Sequence, residues 1–111
     1  MERYKVILVD DEAEVIDMIE KKIHWNDLGF EVAGSATNGV KALELVEKLQ
    51  PDVVLTDIKM PYMDGLELAR KLNQDYPNIY IMLCTGFDEF EYAKEAVPVS
   101  YTHLRAHETT L

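Results

Sequence analysis

A chain of 111 residues with 48% apolar content has the size of one domain around one core, and its composition is not that of a disordered segment. Its formal net charge of −10, from 21 acidic and 11 basic residues, excludes a surface that grips nucleic acid directly; most of the excess acid reads as solvated surface. No apolar run is long enough to span a membrane, no signal peptide precedes the first strand, and one cysteine forms no internal disulfide, so no membrane partner and a cytoplasmic location are expected.

The apolar run Lys5-Val6-Ile7-Leu8-Val9 reads as a strand buried on both faces, and it ends in Asp10 and Asp11. Val15, Ile16, Ile19 and Ile23 then recur at helical spacing, from about Glu12 to Ile23. His24 and Trp25 lie near the end of that helix, where packing or capping explains them. The glycine-bounded segment Gly29 to Gly34 is a short second strand. Val40, Leu43, Val46 and Leu49 mark a second helix that stops before Pro51. Val53-Val54-Leu55-Thr56 is a third strand, ending in Asp57. Leu66, Ala69 and Leu72 place a third helix after Gly65, with Asp64 as its cap and Pro61 and Gly65 making a rigid turn before it. Ile79 to Cys84 is a fourth strand, and Cys84 reads as a buried reduced thiol. Phe90 to Val97 can form a short fourth helix.

This βαβαβαβα order predicts a parallel sheet with right-handed crossovers and helices on both faces. The pattern fails after Val97. Residues 98–111 lack the apolar density of a strand and helix and carry two of the three histidines, so they read as an extension foreign to the fold. His103 and His107 are four apart, but with no third ligand they make a poor zinc site.

The chemistry is concentrated in three acids. In a parallel α/β sheet the C-terminal strand ends gather on one edge, where ligands bind. Asp10, Asp11 and Asp57 would meet there, and three clustered carboxylates are costly unless a cation joins them. Magnesium suits such an oxygen site, and Asp57 could serve both as ligand and as nucleophile toward a phosphoryl group. A hydroxyl from Thr85, just past the fourth strand, would face the same pocket. Neither a glycine-rich phosphate loop nor a Ser-His-Asp arrangement stands out.

Leu8-Val9-Asp10-Asp11-Glu12, Val54-Leu55-Thr56-Asp57-Ile58-Lys59-Met60-Pro61, Met63-Asp64-Gly65 and Leu83-Cys84-Thr85-Gly86 resemble, in order and spacing, the receiver domain of two-component response regulators. The resemblance spans roughly residues 3–97. The stretch His24 to Val32 looks like receivers that precede AraC-type DNA-binding domains, so the parent protein is expected to regulate transcription. The resemblance implies a flavodoxin-like (CheY-like) doubly wound sheet of order 2-1-3-4-(5), with residues 1–97 forming an incomplete receiver. It implies that Asp57 accepts phosphate from a sensor histidine kinase and that Thr85 is the switch hydroxyl. Asp11 and Asp57 would hold Mg2+ by side chain, Asp10 through water, and Lys59 by its backbone carbonyl. Such a domain is not an enzyme beyond its own phosphorylation and dephosphorylation.

The chain departs from the family where a fifth strand ending in Lys-Pro and a fifth helix should follow: it has no Lys after Lys94 and no Lys-Pro pair. Arg105 is a poor substitute for that lysine. Slow or absent phosphorylation is therefore expected, with self-association through the surface that the missing strand and helix leave bare. Two rival functions stand beside this one. A magnesium-dependent phosphohydrolase with an aspartate nucleophile would want a second acid where Lys59 stands. A pure interaction module would not bind magnesium.

Overall fold

The computed structural model describes residues 3–84. The expectations for Thr85, for the fourth helix, for residues 98–111 with His103, His107 and Arg105, and for the burial of the Cys84 thiol lie outside those described. Four strands and three helices alternate along the chain: β1 (Tyr4–Val9), α1 (Ala13–Lys22), β2 (Phe30–Ala36), α2 (Gly39–Leu49), β3 (Val53–Asp57), α3 (Gly65–Asp75) and β4 (Tyr80–Cys84). All pairings are parallel and the sheet order is β2-β1-β3-β4. This is the 2-1-3-4 part of the expected flavodoxin-like sheet, in which the chain order reverses beside β1.

The strands are apolar throughout because both faces are covered. Side chains alternate across a strand. Ile7 and Val9 of β1, Val54 of β3 and Ile81 and Leu83 of β4 therefore face α2 and α3, where they meet Ala42, Val46, Leu68, Ala69 and Leu72. Val6, Leu8 and Leu55 face the other way and pack with Ile16 and Ile19 of α1. Burying each such side chain contributes about 1.5–3 kcal/mol. One chain thus builds two thin cores on a shared sheet.

Two boundaries differ from the sequence reading. The second strand runs through Gly34 to Ala36 instead of stopping at the glycine. Its pairing with β1 slips between Val6 and Ile7, so Ala33 is a bulge and Gly34 lies opposite Ile7, with Leu45 and Leu49 packed close over it. Glycine here admits a close helix and does not end the strand. A 3-10 turn, Trp25–Leu28, also intervenes after α1 and is closed by Gly29 at φ 88°. Trp25 both packs and caps, as its position suggested. Its indole N–H donates to the Ile19 carbonyl at 3.3 Å, and its ring meets Phe30 edge-on. The Ile19 carbonyl, in the last turn of α1, also accepts from the Ile23 N–H at 3.3 Å, so the indole adds a second bond to it.

The link from β3 to α3 positions the site. Ile58 and Met60 are buried, so the chain is pinned on either side of Lys59. The Gly65 N–H donates to the Ile58 carbonyl at 2.7 Å, and a Cβ built on Gly65 would overlap the Asp57 carbonyl oxygen. Asp64 caps α3 as expected, its carboxylate accepting from the Glu67 N–H at 2.9 Å. Between these anchors Tyr62 adopts φ 71° while 96% exposed, and the Met63 N–H donates to the Pro61 carbonyl. A left-handed tyrosine with no packing to hold it is imposed by the anchors around it.

Gly65→Ala should therefore lower stability by about 1–3 kcal/mol, the cost of forcing a methyl into a filled space. The denaturant midpoint should fall with the slope unchanged. A midpoint equal to that of the wild type would show that α3 can move away from β3 freely.

Candidate functional site

β1 and β3 are neighbours in register, with Val9 opposite Thr56, so the residues after their ends emerge together. Asp10, Asp11 and Asp57 each offer a carboxylate oxygen, and these oxygens lie within 4.8 Å of one another. The two adjacent acids can share this site because β1 ends at Val9; from there the chain leaves the strand and is no longer bound to alternate. Asp10 is buried, Asp57 half-buried and Asp11 exposed, so the cluster grades from the sheet to solvent.

Backbone donors aim two of the three. The Glu12 N–H donates to Asp10 Oδ1 at 2.9 Å, and the Ile58 N–H donates to Asp57 Oδ1 at 2.8 Å. Thr56, wholly buried, donates its hydroxyl to the Asp57 carbonyl at 2.9 Å. Nothing in the spacing singled out Thr56, whose hydroxyl could equally have faced solvent. Gly65 was read only as part of a turn; its closeness to the Asp57 backbone depends on how α3 meets β3.

Burial pushes the Asp10 carboxyl above its ordinary value of 3.8, and the neighbouring charges of Asp11 and Glu12 push the same way against the Glu12 N–H bond. A buried carboxylate made harder to ionise by its neighbours, with two more acids beside it, is a donor set suited to a hard divalent cation. Asp11 also lines an open depression of about 440 Å³ with Ile58, Lys59, Met60, Pro61 and Asp64. The structure thus brings together Asp10, Asp11 and Asp57, with Lys59 beside Asp11. Thr85 lies outside the described residues. Among the described residues, no helix is long and apolar enough to cross a membrane.

Comparison with known proteins gives one consistent answer. Residues 6–103 match the response regulator receiver domain model. The chain is 44% identical over 100 residues to the uncharacterised transcriptional regulatory protein YesN of Bacillus subtilis (strain 168), covering 90% of this chain and 27% of that protein. It is 34% identical over 94 residues to the transcriptional regulatory protein HptR of Staphylococcus aureus (strain NCTC 8325 / PS 47), covering 85% of this chain and 36% of HptR. The chain therefore spans only about a third, or less, of these relatives. Among solved structures, the REC domain of AraT, a response regulator from Geobacillus stearothermophilus, superposes with a TM-score of 0.78 at 41% identity over 86% of this chain and 74% of that one. A two component transcriptional regulator AraC from Clostridium phytofermentans superposes with a TM-score of 0.81 at 33% identity, with the same coverages.

The raised Asp10 carboxyl has a consequence for stability. A carboxyl whose folded value exceeds its unfolded one favours folding fully below pH 3.8, and this contribution is lost as pH rises through the folded value. Asp10→Asn, which keeps an oxygen acceptor for the Glu12 N–H, should be more stable than the wild type at pH 7 without divalent ions. The gap should close toward pH 3.8. Denaturant midpoints across that range decide it, and a gap independent of pH would remove charge burial as the cause.

Proposed function

The chain belongs to the response regulator receiver domain family, and it is a receiver domain of two-component signal transduction. From that premise we propose that Asp57 is its phosphoacceptor, with Asp10, Asp11, Asp57 and the Lys59 backbone carbonyl as the site for Mg2+. The observation that carries this is the convergence of three carboxylates from two adjacent strand ends. When bound, the magnesium ion would offset the negative charge that builds up on the phosphoryl oxygens during transfer.

The chain's own residues supply position. The Ile58 N–H donates to Asp57 Oδ1 and so orients the carboxylate, one oxygen of which is the nucleophile. That oxygen attacks phosphorus; the bond from phosphorus to the donor's imidazole nitrogen breaks, and the imidazole leaves with the electron pair. Asp10, deeper in the site, brings a third carboxylate beside Asp57 and Asp11, a donor set that suits a cation. Thr85 is proposed as the hydroxyl that follows the phosphoryl group and starts the change in partner binding. Residues 1–97 are proposed as the receiver proper and 98–111 as foreign to it. The donor would be a sensor histidine kinase and the setting cytoplasmic. A longer parent would carry the response to transcription, and a second copy of this chain is a proposed partner. The phosphohydrolase reading gains nothing from the site, where Lys59 stands in place of a second acid.

Incubation with acetyl phosphate and magnesium should add one phosphoryl group by intact mass, slowly, and Asp57→Asn or removal of magnesium with EDTA should abolish the adduct. An adduct that persists in Asp57→Asn would place the acceptor elsewhere.

A further inference from the structure

At the edge of the sheet opposite the carboxylates lies a groove of about 470 Å³, between the end of α1, the 3-10 turn and the start of β2. The length of β1 separates its end of the sheet from Asp10, roughly 20 Å at about 3.3 Å per residue. Ile23, Trp25 and Val32 give the groove apolar walls, and the exposed Glu20, Asp27 and Glu31 line it too. Among the described residues that line it there is no lysine or arginine, and the nearby Lys21 pairs with Asp17 at 3.0 Å. An aromatic row leads out of it. Trp25 meets Phe30 at 6.1 Å, and Phe30 meets Tyr4 at 5.9 Å. Tyr4 is 62% exposed and Leu28 63%, and the Tyr4 N–H donates to the carbonyl of Gly29, next to Leu28, at 2.9 Å. Singly exposed apolar side chains are common and need no explanation. Here two of them adjoin an aromatic row and a groove, and an apolar patch with acids around it marks an interaction surface.

We propose that this face docks an amphipathic, arginine-bearing segment of a partner polypeptide, with apolar side chains against Tyr4, Leu28 and the groove walls and guanidinium groups beside Glu20, Asp27 and Glu31. Charge decides the occupant. The net charge of −10 and the three acids of the groove repel nucleic acid and anionic lipid. A second copy meeting this face about a two-fold axis would set the same acids against each other. A basic segment gains from the acids and the rings together, because a guanidinium pairs with a carboxylate and also stacks on an aromatic face. Its apolar side chains would anchor it as an amphipathic helix is anchored in a groove. The surface stands whether or not Asp57 accepts a phosphoryl group.

Trp25 is the chain's one tryptophan, so its fluorescence reports on the groove. The probe is a synthetic helical peptide without tryptophan, leucines on one face and arginines on the other, titrated into the full chain. Trp25 emission should change saturably, and high salt should weaken binding. Replacing the peptide's arginines by glutamates should abolish it. Asp27→Asn with Glu31→Gln should raise Kd roughly three- to tenfold by removing two ion pairs, and Tyr4→Ser with Leu28→Ser by about as much or more. Glu44→Gln with Glu47→Gln removes the same charge from α2 and should change Kd less than about twofold. All these side chains are exposed, so the variants should fold as the wild type does. No saturable change overturns the proposal, as does equal binding of the glutamate peptide or equal weakening by the α2 pair. Self-association in sedimentation that Leu28→Ser abolishes, in a chain that ignores the peptide, overturns it in favour of a second copy.

Discussion

The parallel pairing of β1 with β3 is the constraint on which the rest of the molecule depends. Val6 to Val9 lie opposite Val53 to Thr56 without a slip, so both strands finish at the same level. That shared level sets Asp10 and Asp11 beside Asp57. The cost is electrostatic: like charges converge where burial already disfavours ionisation. The two apolar cores carry this cost. Their side chains alternate across the sheet, and the register cannot slip by one residue without turning each strand's apolar set to the other face.

Rigidity next to the site comes from backbone contacts. Gly65 admits α3 to within hydrogen-bonding distance of the Ile58 carbonyl, and the Ile58 N–H in turn holds the Asp57 carboxylate. The start of α3 and the Asp57 carboxylate at the end of β3 are thereby joined through Ile58. The left-handed Tyr62 is the strained result: the chain must turn between a buried Met60 and a capping Asp64 within a few residues. On the other side of the loop, Met63 packs against Gly39, where any Cβ would meet its side chain at 2.8–2.9 Å. The loop between β3 and α3 is therefore in contact with the start of α2.

Much of this was legible in the residues. Continuous apolar strands, helical stripes in Val15 to Ile23 and Val40 to Leu49, and acids placed just after two strands lead to the parallel sheet and the acidic cluster. Asp64 was legible as a cap because its chemistry is local: one carboxylate reaches a donor three residues on. The bulge at Ala33 and the extension of β2 past Gly34 were not legible. A glycine in a strand pattern reads as a stop, and only the neighbouring β1 and the leucines of α2 show that it makes room.

The sequence by itself determined the periodicities, the order of elements, the two faces of each strand and the acids at the strand ends, because each follows from residues close together along the chain. Tertiary structure alone decided how those acids meet: which is buried, how near their oxygens come, and that Asp10 is pushed toward its protonated form. It also decided why residue 65 is glycine and why residue 62 is held in a left-handed turn. These depend on distances between segments far apart in the chain, and such distances are set by packing and strand register, which no local pattern encodes.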